Sequence, residues 1–118
     1  MKTIIRTEKA PKPIGPYSQA VLVNDTLYIS GQIAFEPETG NLVTVNIVQE
    51  TSQVMHNLLN ILETAGMHFS NVVKTTIFLK EMSDFPHVNE VYEQFFEKDF
   101  PARETVQVAG LQIGRAHV

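Results

Sequence analysis

Arg103 is the residue whose type and place most invite chemistry. It follows Phe100-Pro101-Ala102 and opens the alternating run that holds Thr105, Val106 and Val108. If that run is a buried strand, a guanidinium at its head is no ordinary surface charge. Its planar fork matches a carboxylate gripped through two parallel hydrogen bonds. The carboxylate can belong to a bound acid or to a glutamate of the same chain, and spacing alone leaves both open, since buried arginines usually have internal partners. Two further polar stretches stand out: Tyr17-Ser18 after a Gly-Pro step, and Ser30-Gly31-Gln32 at the end of an apolar run. Asn89 lies in the apolar half of a helical pattern. Taken singly, each of these also reads as turn or local capping chemistry.

Other chemistries are poorly supplied. The four histidines, His56, His68, His87 and His117, stand at no tight ligand spacing from one another or from a carboxylate, so no metal site is expected. Glu36 and Glu38 fall in a polar turn, while Glu90, Glu93 and Glu97 mark an exposed helix face; both sets read as solvated charge. Gly31, Gly40 and Gly66 do not form a phosphate-binding loop, and no serine sits in a nucleophile elbow. The absence of cysteine excludes disulfides, thiolate metal sites and a thiol nucleophile, and suits a reducing compartment. Net charge is −4 with the cations scattered, whereas a nucleic-acid backbone wants them gathered on one face. No stretch is long and apolar enough for a signal peptide or a membrane span. The expectation is a cytoplasmic protein with neither nucleic-acid nor membrane partners.

The elements that must position these residues follow from pattern. At 118 residues, 43% apolar and 19% charged, the chain suits one globular domain. A strand is expected over Thr3 to Thr7, then proline-rich turns, then a hairpin of Tyr17–Val23 and Leu27–Ile33 joined at Asn24-Asp25-Thr26. Asn46 caps a helix, with Gln49 in capping-box position and Gly66 at its left-handed end. The inward face of that helix is Ile47, Thr51, Val54, Met55, Leu58, Ile61, Leu62 and Ala65. A buried strand spans Val72 to Leu79. Ser83 or Asp84 caps a second helix with Pro86 in its first turn and Phe85, Val88, Val91 or Tyr92, and Phe95 facing inward. Thr105 to Val108 closes the order β-β-β-α-β-α-β, an α+β fold with its helices on one face of a sheet.

Five segments together carry a resemblance that none carries alone: Ile14-Gly15-Pro16-Tyr17-Ser18-Gln19-Ala20, Ile29-Ser30-Gly31-Gln32-Ile33, Val73-Lys74-Thr75-Thr76-Ile77-Phe78-Leu79, Val88 to Phe96, and Phe100-Pro101-Ala102-Arg103. In order and spacing, from about Lys2 to Leu111, the chain resembles the RidA (YjgF) family of imine deaminases. The resemblance implies a chorismate-mutase-like fold, a six-stranded sheet backed by two helices. It implies a homotrimer with active sites in clefts between subunits. The implied reaction is detoxification of reactive enamine and imine acids: 2-aminoacrylate/2-iminopropanoate and 2-iminobutanoate become 2-oxo acids and ammonia, without a cofactor. The family's carboxylate-binding arginine falls on Arg103. Tyr17, Ser30, Gly31 and Asn89 match pocket positions, with Tyr17 and Ser30 beside Arg103 as the catalytic set, and Thr105 stands where some relatives carry cysteine. The alternative within the same fold is a non-catalytic trimeric module that binds or responds to small carboxylates.

The resemblance stops before the end. Relatives continue into a last strand carrying a glutamate thought to position or activate water, and nothing in Gln112 to Val118 supplies one. Gln-Ile-Gly-Arg-Ala-His-Val is also the translation of a nucleotide run resembling a widely used sequencing-library adapter. The expectation is therefore a single domain over residues 1–111, a non-native tail over 112–118, and a missing final strand. Such a loss leaves an unpaired sheet edge, so instability is expected of the chain as written, and with it doubtful activity.

Overall fold

The computed structural model describes residues 1–118. Its first unit is an antiparallel meander of β1 (Lys2–Ile5), β2 (Ala20–Val23) and β3 (Thr26–Ile29). Val23 pairs with Thr26, so the hairpin loop is the two residues Asn24-Asp25, with Asn24 at φ 53°. Asparagine tolerates that left-handed conformation better than most residues. The first two strands are shorter than their apolar patterns because a side chain takes over the ladder. Buried Gln19 accepts the Thr7 N–H at 2.8 Å and donates to the carbonyls of Thr7, Ala10 and Pro11. The proline turns thus lie against the sheet without strand geometry.

Two helices follow the expected signals closely. α1 (Ile47–Thr64) is capped by Asn46, whose Oδ1 accepts the Gln49 N–H at 2.8 Å. Gly66, at φ +76°, ends it in a Schellman arrangement: Met67 N–H donates to Leu62 and Gly66 N–H to Glu63. The expected apolar face is buried except for Ala65, which is half-buried. Two polar residues join it unannounced, Glu50 and Asn57. α2 (Phe85–Glu93) starts after Asp84 with Pro86 in its first turn, although no Asp84 side-chain cap bond forms. Phe95 lies past its end and is half-buried, while Phe96 packs into the core.

The second sheet has β4 (Lys74–Leu79) at its centre, parallel to β5 (Ala102–Gln107) and antiparallel to β6 (Ala116–His117). The expectation that the final strand is missing is corrected here. β6 exists, at two residues, with Ala116 opposite Leu79 and His117 opposite Phe78. Val118 then exchanges both backbone hydrogen bonds with Gln32, at 2.8 and 3.2 Å. Across the molecule the order becomes β1-β2-β3-β6-β4-β5. The physical reason is buried Glu50, which accepts the backbone N–H and the Nε–H of Arg115. Gly114, at φ +82°, makes the turn that allows this; a Cβ there would lie 2.7 Å from Glu50 Oε1.

The core forms where α1 and α2 cover one face of β4 and β6: Val54, Met55, Val88, Ile77, Leu79 and Ala116 are all essentially inaccessible. No helix is long and apolar enough to cross a membrane.

Asn57 ties α1 to the segment that follows β3. Its Nδ2 donates to Ile33 O at 3.0 Å and Phe35 O at 2.9 Å, and its Oδ1 accepts from Gln53. Asn57→Ala strands two part-buried carbonyls and empties a fully buried side-chain site, and we expect a loss of ~2–4 kcal/mol in urea unfolding. Asn57→Asp fits the space but cannot donate, so it should not recover that loss. Recovery by Asp would show that volume, not donation, holds the segment.

Candidate functional site

Arg103 sits on β5 opposite Thr75. Because side chains alternate along a strand, Arg103 and Thr105 share a face with Thr75 and Ile77, the face on which α2 lies. Phe85, Asn89 and Tyr92 are spaced four and three apart on α2, so they form one stripe. All three meet the guanidinium. Its Cζ lies 5.3 Å from the Phe85 ring centroid and 5.0 Å from that of Tyr92, and Nη1 donates to Asn89 Oδ1 at 2.8 Å. Each ring contact is worth about 0.5–1 kcal/mol at an exposed site. Tyr92 is fixed in turn through its hydroxyl, 2.7 Å from Thr75 Oγ1. Burial raises the Tyr92 phenol above its ordinary pKa of 10.0, against the opposing effects of the Thr75 hydrogen bond and the Arg103 charge.

The condition that the run opened by Arg103 is a buried strand is not met in the isolated chain. β5 is an edge strand in the isolated chain, and Arg103 is exposed along with most of its neighbours. The question of its partner is also resolved within the chain. The one ion pair present is Arg115–Glu50, so Arg103 faces no internal carboxylate. Only one of its five N–H groups has a protein acceptor. The fork is held in place at its root and open at its tip. Beside it along the strand, Thr105 Oγ1 is buried with no hydrogen-bond partner. Such an orphan hydroxyl costs about 1–3 kcal/mol, which points to an acceptor or donor from outside the chain.

Tyr17, Ser30 and Gly31 form a second set, on the other sheet. Ser30 Oγ donates to Ser18 O at 2.6 Å, its N–H donates to Gln19 O, and Tyr17 Oη accepts from Ile14 N–H at 3.3 Å. The Tyr17 ring remains 52% exposed. These bonds fix the serine hydroxyl proton inward and leave its lone pairs free as acceptors. No hydrogen bond or ion pair joins this set to Arg103. Ser30 and Gly31 follow β3 in the first sheet, whereas Arg103 lies on β5 at the far edge of the second. The structure thus brings Arg103, Asn89 and Thr105 together and places Tyr17, Ser30 and Gly31 elsewhere on the same chain.

Phe85, Tyr92 and Thr75 were missed as site residues by sequence reasoning. The signal for the first two was available: both lie in register with Asn89, and only the arginine's strand position was needed to connect them. No group of three or more His, Asp or Glu side chains converges as a metal site.

Comparison with known proteins turns this geometry into a lineage. The Endoribonuclease L-PSP family profile matches residues 7–118. The chain is 51% identical over 114 residues to the human 2-iminobutanoate/2-iminopropanoate deaminase, covering 97% of this chain and 83% of the human one. The crystal structure of RidA from the Antarctic bacterium Psychrobacter sp. PAMC 21119 superposes with a TM-score of 0.93 at 42% identity, over 98% of this chain and 94% of that one. The crystal structure of E. coli TdcF with bound serine gives 0.93 at 34% identity, over 98% and 93%. The α+β, RidA-like architecture expected from the sequence is the one found. The chain belongs to the Endoribonuclease L-PSP family, in which the RidA and YjgF proteins fall.

Proposed function

We propose that this protein hydrolyses 2-imino acids such as 2-iminopropanoate and 2-iminobutanoate to 2-oxo acids and ammonia, with Arg103 holding the substrate carboxylate. The observation that carries the reading is the arginine itself, fixed by Phe85, Asn89 and Tyr92 yet free of any internal carboxylate. The relatives named as imine deaminases support the reaction class, and the fold neighbour holding serine supports a small α-carboxylate ligand.

The chemistry asks little of the protein. A protonated imine is already electrophilic, so water adds to its carbon and the nitrogen keeps the electron pair of the broken C=N π bond. The first proton released by the attacking water passes to that nitrogen; as the C–N bond of the resulting carbinolamine breaks, its hydroxyl proton passes to the departing ammonia, and the oxo acid and ammonium leave. No net proton is taken up by a side chain. What the site must supply is orientation, which alone is worth several kcal/mol. Arg103 fixes the carboxylate and hence the adjacent imine carbon. Ser30, with its own proton directed to Ser18 O, accepts from the attacking water. The Tyr17 hydroxyl and the Gly31 backbone line the opposite wall, and Thr105 offers its unpaired hydroxyl to the substrate or to a facing subunit.

That arrangement needs two chains, and we assign the protein a homotrimer with sites between subunits. The open face of the sheet carries apolar side chains that no element covers: Tyr28 is 64% exposed, and Phe78 and Val106, directly opposite in register, are exposed together. Apolar clusters of this kind mark an interface. The family's name includes an endoribonuclease activity, but a net charge of −4 with scattered cations gives a polyanion no evident path.

Arg103→Ala should lower kcat/KM for imine hydrolysis by a hundredfold or more, about 3 kcal/mol for two charge-assisted hydrogen bonds, with Tm little changed. The assay generates the imine with a serine/threonine dehydratase and follows its decay. Binding of a small carboxylate without any acceleration in the parent would instead favour the non-catalytic module. Mixing is the test of the shared site. Arg103→Ala and Tyr17→Phe chains, each impaired alone, should regain activity when co-refolded, because one cleft in a mixed trimer then holds both native residues. A mixture no better than the sum of its parts overturns the intersubunit assignment.

A further inference from the structure

α2 begins without a cap of its own. The single 3-10 turn Met82–Asp84 leads straight into it, with Phe85 N–H donating to Met82 O, and neither Glu81 nor Asp84 makes a side-chain cap bond. The first N–H groups of such a segment have no acceptor within it. That of Met82 is taken instead by a side chain 25 residues away: Gln107 Oε1, on β5, accepts it at 2.7 Å. We infer that Gln107 is a positioning residue for Arg103, holding the start of α2 at the level on β5 where Phe85 and Asn89 meet the guanidinium. The inference rests on the reading of Arg103 as a carboxylate clamp and extends that site to a residue which touches no substrate.

Three observations carry it. First, Gln107 and Arg103 share one face of one strand, four residues and about 13 Å apart, with Thr105 between them. The Gln107 end of that strand is itself fixed, since Val108 N–H donates to Leu79 O at 3.0 Å. Second, three side-chain hydrogen bonds tie the segment from Met82 to Glu93 to this sheet. Asn89–Arg103 and Tyr92–Thr75 hold its later half, and Gln107–Met82 holds its start. Third, buried Val88 and Val91 anchor the helix by apolar contact, which is non-directional and does not set where the helix stops along the strand. Freed at Met82, the helix pivots about Asn89 and Tyr92. Phe85, three residues from the freed N–H, then leaves the guanidinium first.

Gln107→Met keeps the side-chain length and removes the acceptor, whereas Gln107→Glu keeps an acceptor at the same reach. Each is assayed for imine hydrolysis and titrated with 2-oxobutanoate, a stable acid that presents the same carboxylate. In Gln107→Met, KM for the imine and Kd for 2-oxobutanoate should both rise about five- to tenfold with kcat held within about twofold, because ground state and transition state lose the same contact. Gln107→Glu should bring both constants back to within about twofold of the parent. Met82→Pro removes the donor instead, at a place that suits proline because Glu81 before it is extended, φ −130° and ψ 122°. It should reproduce the Gln107→Met values, and the double variant should be no worse than either single one. It also takes the place of Gln107→Met if that chain fails to fold. A lowered Tm with unchanged KM and Kd would show a purely structural bond and overturn the proposal. Equal losses in Gln107→Met and Gln107→Glu, or additive losses in the double variant, overturn it as well. A parent that binds 2-oxobutanoate but hydrolyses no imine loses the reaction alone, and the Kd series still decides on Gln107. A parent that does neither removes the clamp and this proposal with it.

Discussion

Everything in this molecule hangs on two polar side chains buried on one face of α1. Glu50 and Asn57 lie two helical turns apart among apolar neighbours, each no more than 1% exposed. Asn57 holds the segment after β3 through Ile33 and Phe35 O, and Glu50 holds the segment before β6 through Arg115. Those two segments meet at Gln32 and Val118, the only backbone pair that spans the two sheets. The helix thus acts as a jig, fixing from behind the positions of two short stretches too small to find each other by pairing alone. Removing the partner of a buried carboxylate costs about 3–5 kcal/mol, a large share of a small domain's margin, so this seam is strongly specified despite its narrowness.

The same economy shapes the arginine. An exposed guanidinium on an edge strand would ordinarily sample many rotamers, and a ligand would have to order it on binding. Here one helical stripe does the ordering in advance. Asn89 takes one N–H, Phe85 and Tyr92 present ring faces, and the Tyr92–Thr75 bond ties the helix back to β4. None of these contacts neutralises the charge. A glutamate in place of Asn89 would fix the guanidinium equally well and blunt its pull on a second carboxylate; the neutral amide fixes it and leaves the charge available. That distinction separates a preorganised anion clamp from a structural ion pair.

Much of this was legible in the sequence, for identifiable reasons. Asn46, Gln49 and Gly66 announce α1 because caps are local chemistry, and the helix face follows from period alone. Arg103 stood out because a cation at the head of an apolar run needs explaining. Glu50 and Asn57 were not legible: on a helical wheel they break the apolar face, and their partners lie 65 and 22–24 residues away. Nor was the exposure of β5, because apolar residues on a strand do not say whether their cover comes from the same chain. The shortened strands trace to Gln19, a side chain imitating a backbone ladder. Each failure has one form. A polar group's role is set by where distant backbone comes to rest, which the residue's own neighbourhood does not encode.

The closing strand shows how such tertiary demands can override local signals. Nothing in Gln-Ile-Gly-Arg-Ala-His-Val reads as a strand, and its alternation is poor. It pairs nonetheless, because three of its residues satisfy demands set elsewhere. Gly114 accepts a positive φ against Glu50, Arg115 neutralises that carboxylate, and Ala116 is small enough to be buried opposite Leu79. A side chain larger than alanine would meet the packed surface of α1 and β4 at a position already 99% enclosed. The slot between the sheets therefore selects these three residues by shape and by charge.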